Sequence, residues 1–200
     1  MRVLVTGHNG YVGTVLVPML LKAGHDVVGL DSNLYQAATF GEEDAAAAIP
    51  AIQRDVRDVT YEDLEGFDAI LHLAGLSNDP LGDLNPELTY EINHRASVRM
   101  AQMARELGTE RYIFSSSCSN YGAGVDDWLT EESAFNPVTP YGKSKVMVEQ
   151  DVAKLADDKF PQAALVEAGY QPQWFGQKTY NGVALLSRTP ATEIAKNIVD

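Results

Sequence analysis

Short apolar runs alternate along this chain with longer segments whose apolar residues recur every three or four positions. The first run, Arg2–Thr6, is rich in β-branched residues and predicts a buried strand. A glycine-spaced turn follows at 7–13, and apolar residues at helical spacing then predict a helix that ends at Gly24, because glycine tolerates the left-handed conformation. Residues 27–30 predict a second strand with Asp31 at its carboxyl end. Together these elements form one βαβ unit of about thirty residues.

The same alternation continues to about residue 158. It predicts further strands at 52–54, 69–73 and 112–115, and further helices at 61–64, 86–107 and 141–155. Strands that alternate with helices predict a parallel sheet covered on both faces. Right-handed crossovers make this an α/β doubly wound parallel sheet, the Rossmann fold.

Composition narrows the choice of partners. Apolar residues make up 45% of the 200-residue chain, and the formal net charge is −13. Such a charge repels DNA phosphates and anionic membranes, and Lys and Arg are scattered singly, so we expect neither nucleic acid nor a membrane as a partner. One cysteine excludes an intramolecular disulfide, and neither a signal-peptide layout nor an apolar stretch of about 18 residues occurs, which favours the cytoplasm.

The glycine-spaced turn has the layout of a phosphate-binding loop. Gly7 permits the tight exit from the strand, Gly10 lets a pyrophosphate approach the backbone, and Gly13 lets the helix pack closely on the sheet. The helix N-terminus offers free N–H groups to the phosphates. Asp31 can accept hydrogen bonds from ribose hydroxyls and would repel a 2′-phosphate, which favours NAD over NADP. The alternatives are a glycine-rich turn without a ligand and an exposed strand-end aspartate.

Tyr141 and Lys145 are the candidate reacting pair. Four residues apart on a helix, they lie on one face, and an ammonium beside a phenol favours the phenolate. A phenolate can remove a proton from a substrate hydroxyl while hydride leaves the same carbon. The serine triplet 115–117 ends the fifth strand at the ligand crevice, where a hydroxyl can contact the reacting oxygen. The alternatives are a solvated helix face and a serine-rich turn that caps a strand.

In combination, these motifs resemble the extended short-chain dehydrogenase/reductase family, and within it the UDP-glucose 4-epimerase-like nucleotide-sugar epimerases and dehydratases. The resemblance covers about 1–158 and rests on TGHNGYVG, VVGLD, DVRD, HLAGL, NHRAS, IFSSSCSNYG and NPVTPYGKSK. It implies a bound NAD that oxidises a hydroxyl of a nucleotide sugar and returns the hydride to the other face, without net redox change. It is also compatible with a homodimer paired through long helices.

The resemblance implies a role for each matching residue. Ser117, Tyr141 and Lys145 match the family's catalytic serine, base and lysine, and Lys145 would also hold the nicotinamide ribose. The other implied cofactor contacts are Tyr11 and Val12 at the pyrophosphate, Asp55 and Val56 at the adenine, Leu73, Ala74 and Gly75 at the ribose and nicotinamide, and Asn93 behind the cofactor.

The histidines predict no metal site. None has metal-ligand spacing to a cysteine or carboxylate. We expect His8 to point outward from the glycine turn and His72 to be buried or at a strand end.

The last part of the chain departs from this pattern. Residues of about 157–190, above all GQKTYNGVALLSR, resemble an internal segment of the exonuclease III-like apurinic endonucleases, but Val152 stands where that family has its metal-binding glutamate. We therefore expect 1–158 to be an NAD-binding domain with the Ser–Tyr–Lys site, and 159–200 an unrelated tail in which only 183–186 predicts a strand, with the substrate subdomain absent. Three functions stay open: an epimerase impaired by that loss, a dehydratase, and an NAD-binding remnant without turnover.

Overall fold

A five-stranded parallel sheet forms the centre of the molecule. The computed structural model describes residues 1–35, 49–77, 79–122, 129–130 and 133–157. The strands are β1 (Arg2–Thr6), β2 (Asp26–Asp31), β3 (Ala51–Gln53), β4 (Ala69–His72) and β5 (Arg111–Phe114). Their order in the sheet is β3-β2-β1-β4-β5, and every neighbouring pair is parallel. The predicted doubly wound sheet is confirmed, with strand ends within one residue of the predicted ones.

Helices connect β1 to β2, β3 to β4 and β4 to β5 in the predicted alternation, and a last helix follows β5. They are α1 (Gly13–Lys22), α2 (Tyr61–Leu64), α3 (Asp79–Leu84), α4 (Pro86–Tyr90), α5 (Ala96–Glu106) and α6 (Pro140–Asp157). A π-helical turn, Glu91–Arg95, joins α4 to α5, so the single helix predicted at 86–107 is interrupted in its middle. None of the helices in the described ranges combines the length and the apolar character that a membrane crossing requires. The strand predicted at 183–186 lies outside the described residues.

Buried side chains cover both faces of the sheet. Successive residues of a strand point to opposite faces. Leu4 therefore packs in one cluster with Ile70 and Met100, while Val3 and Val5 pack in a second cluster with residues that include Val17 of α1. Burial on both faces explains why the strands are apolar runs and not alternating ones.

The order of the strands creates a crevice between β1 and β4. After β3 the chain crosses to the other side of β1, so the connections leaving β1 and β4 turn to opposite faces of the sheet. Ligands of doubly wound sheets bind outside the carboxyl ends of the strands at such a switch point. The glycine turn after β1 and the segment 73–77 after β4 therefore form the two walls of the candidate site.

Candidate active site

Close backbone contacts explain two of the three glycines in the turn after β1. Gly7 has a φ of +71°, and a Cβ added there would lie 2.8 Å from the backbone N of Ala74. A Cβ at Gly13 would lie 2.4 Å from the carbonyl oxygen of His8. The close approach at Gly13 is therefore made by the turn's own carbonyls, rather than by the sheet as predicted. Neither position accepts a side chain without movement of the backbone.

The outer side of the same turn is open. A Cβ at Gly10 would come near only the carbonyl oxygen of Gly7, at 3.1 Å. Tyr11 is 94% exposed and Val12 54% exposed. Among the residues that the structure describes, none accepts a hydrogen bond from the backbone N–H groups of Tyr11, Val12 or Gly13. These unpaired donors at the start of α1 point to an anion as the partner of the turn.

Asp31 joins the end of β2 to the glycine turn. Its carboxylate accepts hydrogen bonds from the backbone N–H of Asn9 at 3.2 Å and of Asn33 at 2.8 Å. The side chains of Asn9 and Asn33 also bond to each other at 2.8 Å. A carboxylate has about four acceptor positions, so Asp31 keeps acceptor capacity for the hydroxyls of a ligand.

His8 is buried, and the expectation that it points outward is wrong. Only 3% of the residue is exposed. Its ring lies over Gly29 in β2, where an added Cβ would come within 2.5 Å of the ring. Burial lowers the pKa of His8, and the nearby Asp31 carboxylate partly opposes that effect. The glycine inside an otherwise bulky strand was the signal in the sequence, since glycine in a strand often marks a close approach.

The Asp55 turn lies beside Asp31, because the backbone N–H of Arg54 donates to the carbonyl oxygen of Asp31 at 2.9 Å. The Asp55 carboxylate accepts two hydrogen bonds from the guanidinium of Arg57, at 3.0 and 2.7 Å, and these lower the pKa of Asp55. Val56 is 6% exposed and packs in the core. Only the backbone of Val56 is therefore available to a ligand.

Asn93 fixes the wall that follows β4. It lies in the π-helical turn and is 1% exposed. Its amide oxygen accepts from the N–H of Leu76 at 2.8 Å, and its amide nitrogen donates to the carbonyl of Leu76 at 2.9 Å. A Cβ at Gly75 would lie 2.9 Å from the same amide oxygen, so a side chain at Gly75 would disturb this contact. On the opposite side, the N–H of Leu73 donates to the carbonyl of Thr6 at 3.2 Å.

A buried chain of hydrogen bonds centred on His72 links the two walls. The N–H of Ala74 donates to the Thr6 hydroxyl at 3.3 Å, and this hydroxyl lies 2.7 Å from Nδ1 of His72. Nε2 of His72 lies 2.7 Å from the Ser97 hydroxyl, which itself donates to the carbonyl of Asn93 at 2.8 Å. Because the Ser97 proton is used in that bond, we infer that Nε2 of His72 carries the ring proton and that the imidazole is neutral. Burial, with a smaller effect of the Lys145 charge, lowers the pKa of His72 to about 3.

This neutral histidine predicts acid sensitivity. Between about pH 3 and pH 6.5 the unfolded chain binds a proton that folded His72 does not, so stability rises with pH in this window and is lost as the pH falls below 6.5. We expect His72 to contribute up to about 1.4 kcal/mol per pH unit to the free energy of unfolding in this window. Urea denaturation from pH 7 to pH 4.5 measures this slope. His72→Gln should flatten it, whereas His25→Gln, a change outside the network, should not.

Lys145 lies on α6 with its ammonium against the rings of two aromatic residues. Nζ donates to the carbonyl of Ser115 at 2.8 Å. It lies 4.5 Å from the centroid of the Phe114 ring and 5.6 Å from that of Tyr141. Burial lowers the pKa of Lys145 to about 8, and the Glu149 carboxylate acts in the opposite direction. The predicted pairing of Tyr141 and Lys145 on one face of α6 is therefore present.

Ser117 lies in a short turn that packs on the start of α6. Its hydroxyl accepts from the N–H of Ser119 at 3.2 Å, so its own proton is available to another acceptor. A Cβ at Gly142 would lie 2.7 Å from the carbonyl oxygen of Ser119, which shows how closely the helix and the turn approach. These contacts bring Ser117 to the end of α6 that carries Tyr141 and Lys145. The exposed Cys118 thiol lies in the same turn.

Two features of this region were not predicted from the sequence. Glu149, one helical turn after Lys145, accepts hydrogen bonds from Ser116 and Asn120 in the turn around Ser117. The Thr139 hydroxyl accepts from the N–H of Gly142 at 3.1 Å and donates to Asp79 at 2.7 Å, so it caps α6 and ties it to α3. The sequence contains a signal for Glu149, because this residue follows Lys145 by four positions.

Within the described ranges, no group of three or more potential ligands is placed to hold a metal ion.

Comparison with known proteins gives matches over most of the chain. The family model of the NAD dependent epimerase/dehydratase family matches residues 3–166. A UDP-glucose 4-epimerase of Lactobacillus helveticus is 32% identical over 157 residues, which are 76% of this chain and 46% of that protein. The chain spans about half the length of the curated relatives it matches.

Solved structures give the same result. A UDP-glucose-4-epimerase from Stenotrophomonas maltophila with bound NAD and formylated UDP-arabinopyranose has a TM-score of 0.69 and 30% identity, over 78% of this chain and 49% of that one. A dTDP-glucose 4,6-dehydratase from Streptomyces venezuelae with NAD and TYD bound has a TM-score of 0.69 and 28% identity, over 80% of this chain and 52% of that one. These matches confirm the resemblance predicted from the motifs of 1–158. The resemblance of 157–190 to endonucleases lies almost entirely outside the described residues and stays a prediction.

Proposed function

The chain belongs to the NAD-dependent epimerase/dehydratase family, and on that premise we propose that residues 1–158 bind NAD and act as a nucleotide-sugar epimerase of the UDP-glucose 4-epimerase type. The observation that carries the proposal is the position of the buried Lys145 ammonium, 5.6 Å from the Tyr141 ring on the helix that packs on the Ser117 turn. A proton acceptor, a positive charge and a hydroxyl donor are the groups that oxidation of a sugar hydroxyl requires. The proposal includes a cytoplasmic location.

The residues around the crevice fit a dinucleotide. The unpaired N–H groups of Tyr11, Val12 and Gly13, beside the open face of Gly10, would hold the pyrophosphate. Asp31 would accept from the hydroxyls of the adenosine ribose. The adenine would lie at Asp55 and at the backbone of Val56, the nicotinamide and its ribose at Leu73, Ala74, Gly75 and Lys145, and Asn93 would position the wall behind them.

Ser117, Tyr141 and Lys145 would each have a separate role in the oxidation of the sugar hydroxyl. NAD, when bound, supplies the hydride acceptor, and the same hydride is returned later in the cycle. The Lys145 ammonium stabilises Tyr141 as a phenolate, and this phenolate takes the proton of the sugar hydroxyl as the hydride leaves, which makes Tyr141 a neutral phenol. Ser117 donates a hydrogen bond from its hydroxyl to the reacting oxygen and keeps its proton. The proton of Tyr141 goes back to that oxygen when the hydride returns to the other face of the sugar.

Elimination of water is the other reaction that the family name includes. It would need, in addition, an acid that protonates the departing hydroxyl. The residues that follow Ser117 in its turn are Cys118, Ser119 and Asn120, none of which is a carboxylic acid. Glu149, the carboxylate behind them, is already bonded to Ser116 and Asn120. Within the described residues around Ser117, this arrangement favours an epimerase over a dehydratase.

An NAD-binding protein without turnover is the second candidate. The observation that favours it is that the groups proposed to bind the dinucleotide, the N–H groups of the glycine turn and the Asp31 carboxylate, lie on other elements than the reacting groups of α6. In this case the glycine turn and Asp31 would bind the dinucleotide, while no productive sugar complex would form. The two candidates make the same prediction for NAD binding and opposite predictions for turnover.

The test begins with the full chain as it is purified. NAD released on denaturation, or NAD binding by calorimetry, measures the cofactor, and interconversion of UDP-glucose and UDP-galactose measures the reaction. We expect both. NAD binding without interconversion would favour the second candidate, release of a 4-keto-6-deoxy sugar would favour the dehydratase, and no binding at millimolar NAD would contradict all three.

Asp31 is expected to determine the choice between NAD and NADP. Asp31→Asn keeps one of the two accepting oxygens, which can hold the shorter bond from Asn33, and removes the charge that repels a 2′-phosphate. We expect the preference for NAD over NADP, measured as the ratio of dissociation constants, to fall by about tenfold or more, since close charge contacts have free energies of at least about 1.4 kcal/mol. Asp26→Asn, at the other end of β2, is the matched control. An unchanged ratio in Asp31→Asn would contradict the assignment.

A further inference from the structure

Glu149 connects the two segments that carry the reacting groups. It lies on α6 one helical turn after Lys145. Its Oε1 accepts a hydrogen bond from the Ser116 hydroxyl and another from Nδ2 of Asn120 at 2.7 Å. The same Nδ2 of Asn120 lies 3.0 Å from the Ser116 hydroxyl, so the three side chains form a closed triangle. Asn120 is 2% exposed and Glu149 is half-buried, whereas Ser116 is exposed, so the cluster runs from the surface into the interior.

The partners of Glu149 lie on either side of Ser117 in the chain. Ser116 precedes it directly, and the N–H of Asn120 donates to the carbonyl of Ser117 at 3.1 Å. The carbonyl of Asn120 in turn accepts from Asn136 at 2.9 Å, which holds the far side of the turn. One carboxylate oxygen therefore anchors both ends of the Ser117 turn to the helix that presents Tyr141 and Lys145.

Glu149 lies four residues after Lys145 on α6, so the two side chains share one face of the helix and the charge of Glu149 acts on the Lys145 ammonium. The groups that face Lys145 from the neighbouring elements are the neutral His72 of β4, the ring of Phe114 at the end of β5, and the phenol of Tyr141 on α6 itself. In the described part of the structure, Glu149 is the one carboxylate that raises the pKa of Lys145 against the effect of burial. Burial raises the pKa of Glu149, whereas the bonds from Ser116 and Asn120 and the charge of Lys145 lower it.

We propose that Glu149 is a positioning residue for the reacting groups: it holds the Ser117 turn on α6 and provides the negative charge that faces the Lys145 ammonium. The inference rests on the proposed function, since it gives Glu149 its task in that reaction. Glu149 does not contact the substrate. It acts by holding Ser117 in position and by favouring the charged form of Lys145.

Glu149→Gln separates the two tasks. The glutamine oxygen can still accept from Ser116 and Asn120, so the turn keeps its anchor, but the charge is gone. We expect the pKa of Lys145 to fall, because the Glu149 charge is what opposes the effect of burial on that pKa. NMR titration of the full chain with 13C-labelled lysine measures this shift, and Lys145→Met identifies the signal. The alkaline limb of the pH profile of turnover should move to lower pH by the same amount.

Glu110→Gln is the matched control. Glu110 is exposed and lies before β5, at the end of the strand away from Ser117. Removing its charge should leave the Lys145 titration and the pH profile in place. A purely structural role of Glu149 would lower turnover equally at every pH without moving the Lys145 titration, and that result would overturn the proposal.

The titration separates a failure of this inference from a failure of the proposed function. If the wild-type chain shows no turnover, the proposed reaction fails, but the Lys145 titration still decides whether Glu149 acts on the ammonium. If turnover is present and Glu149→Gln changes neither the titration nor the profile, the inference alone fails. If Glu149→Gln does not fold, the interaction between the two charges can be measured at Glu149 instead of at Lys145, because the interaction between two sites is reciprocal. Lys145→Met must then raise the pKa of the Glu149 carboxyl, and an unchanged Glu149 pKa would overturn the proposal.

Discussion

Tyr141→Phe is expected to lower turnover of UDP-glucose by about a hundredfold to ten-thousandfold, the range that a positioned general base contributes. Phenylalanine keeps the ring beside the Lys145 ammonium but has no oxygen that could accept the proton of the sugar hydroxyl. The cofactor contacts of the glycine turn and of Asp31 are unchanged, so NAD affinity should stay within about threefold. A progress curve of UDP-galactose formation, together with NAD binding on the same preparation, gives both quantities.

Tyr61→Phe is the matched control for this variant. Tyr61 lies at the start of α2, where its hydroxyl donates to Glu106 of α5. The same atom is removed from a phenol outside the crevice, so turnover should not change. Wild-type activity that survives in Tyr141→Phe would contradict the assignment of Tyr141 as the base. Loss of NAD binding in Tyr141→Phe would show that the ring supports the cofactor site and that the fall in turnover is indirect.

The elements that could be predicted from the sequence are those whose pattern reflects burial. Parallel strands covered on both faces are short apolar runs, and β1 and β4 are recognisable for this reason. The long helix ending near residue 107 was predicted from its period, but its π-helical turn was not, because a single inserted residue changes the period too little. The helix α3 was missed since its six residues, DPLGDL, include a proline and a glycine.

The candidate site was predictable only where one motif contains both the residue and its neighbour. Tyr141 and Lys145 are close because a helix brings residues four apart together. The burial of His8 depends on Gly29, and the chain from Thr6 through His72 to Ser97 depends on β1 lying beside β4 and on α5 covering them. Contacts of this kind follow from the order of the strands, which no local pattern contains.

The hydrogen-bond networks explain how such distant residues form one site. His72 joins the exit of β1 to the π-helical turn, and through Asn93 it determines where the wall at Leu76 lies. Glu149 joins the exit of β5 to α6 in a similar way. Each network therefore fixes one part of the crevice, and a buried network of this kind is costly to leave partly unpaired. This accounts for polar residues that are buried beside the core without contacting a ligand themselves.

Gly13→Ala is expected mainly to lower stability, whereas Gly10→Ala is expected mainly to lower NAD affinity. At Gly13 the new methyl group would lie 2.4 Å from a carbonyl oxygen of the turn, so we expect the free energy of unfolding to fall by about 1–3 kcal/mol or more. At Gly10 the methyl group meets only one carbonyl oxygen, at 3.1 Å, and the protein should lose about 1 kcal/mol at most. That methyl group, however, would lie where we propose that the pyrophosphate approaches the backbone, so NAD affinity should fall by about tenfold or more.

Gly24→Ala separates destabilisation from loss of the cofactor contact. Gly24 has a φ of +82° and no atom within 4 Å of an added Cβ, so alanine there should cost about 1–2 kcal/mol through the left-handed conformation alone. Urea denaturation and NAD calorimetry on the three variants give the comparison. A Gly24→Ala protein that binds NAD normally, beside a stable Gly10→Ala protein that does not, would place the pyrophosphate on the open face of the turn. Normal NAD binding by Gly10→Ala would mean instead that the dinucleotide does not approach the backbone there, and the glycines would then serve only the close backbone contacts at Gly7 and Gly13.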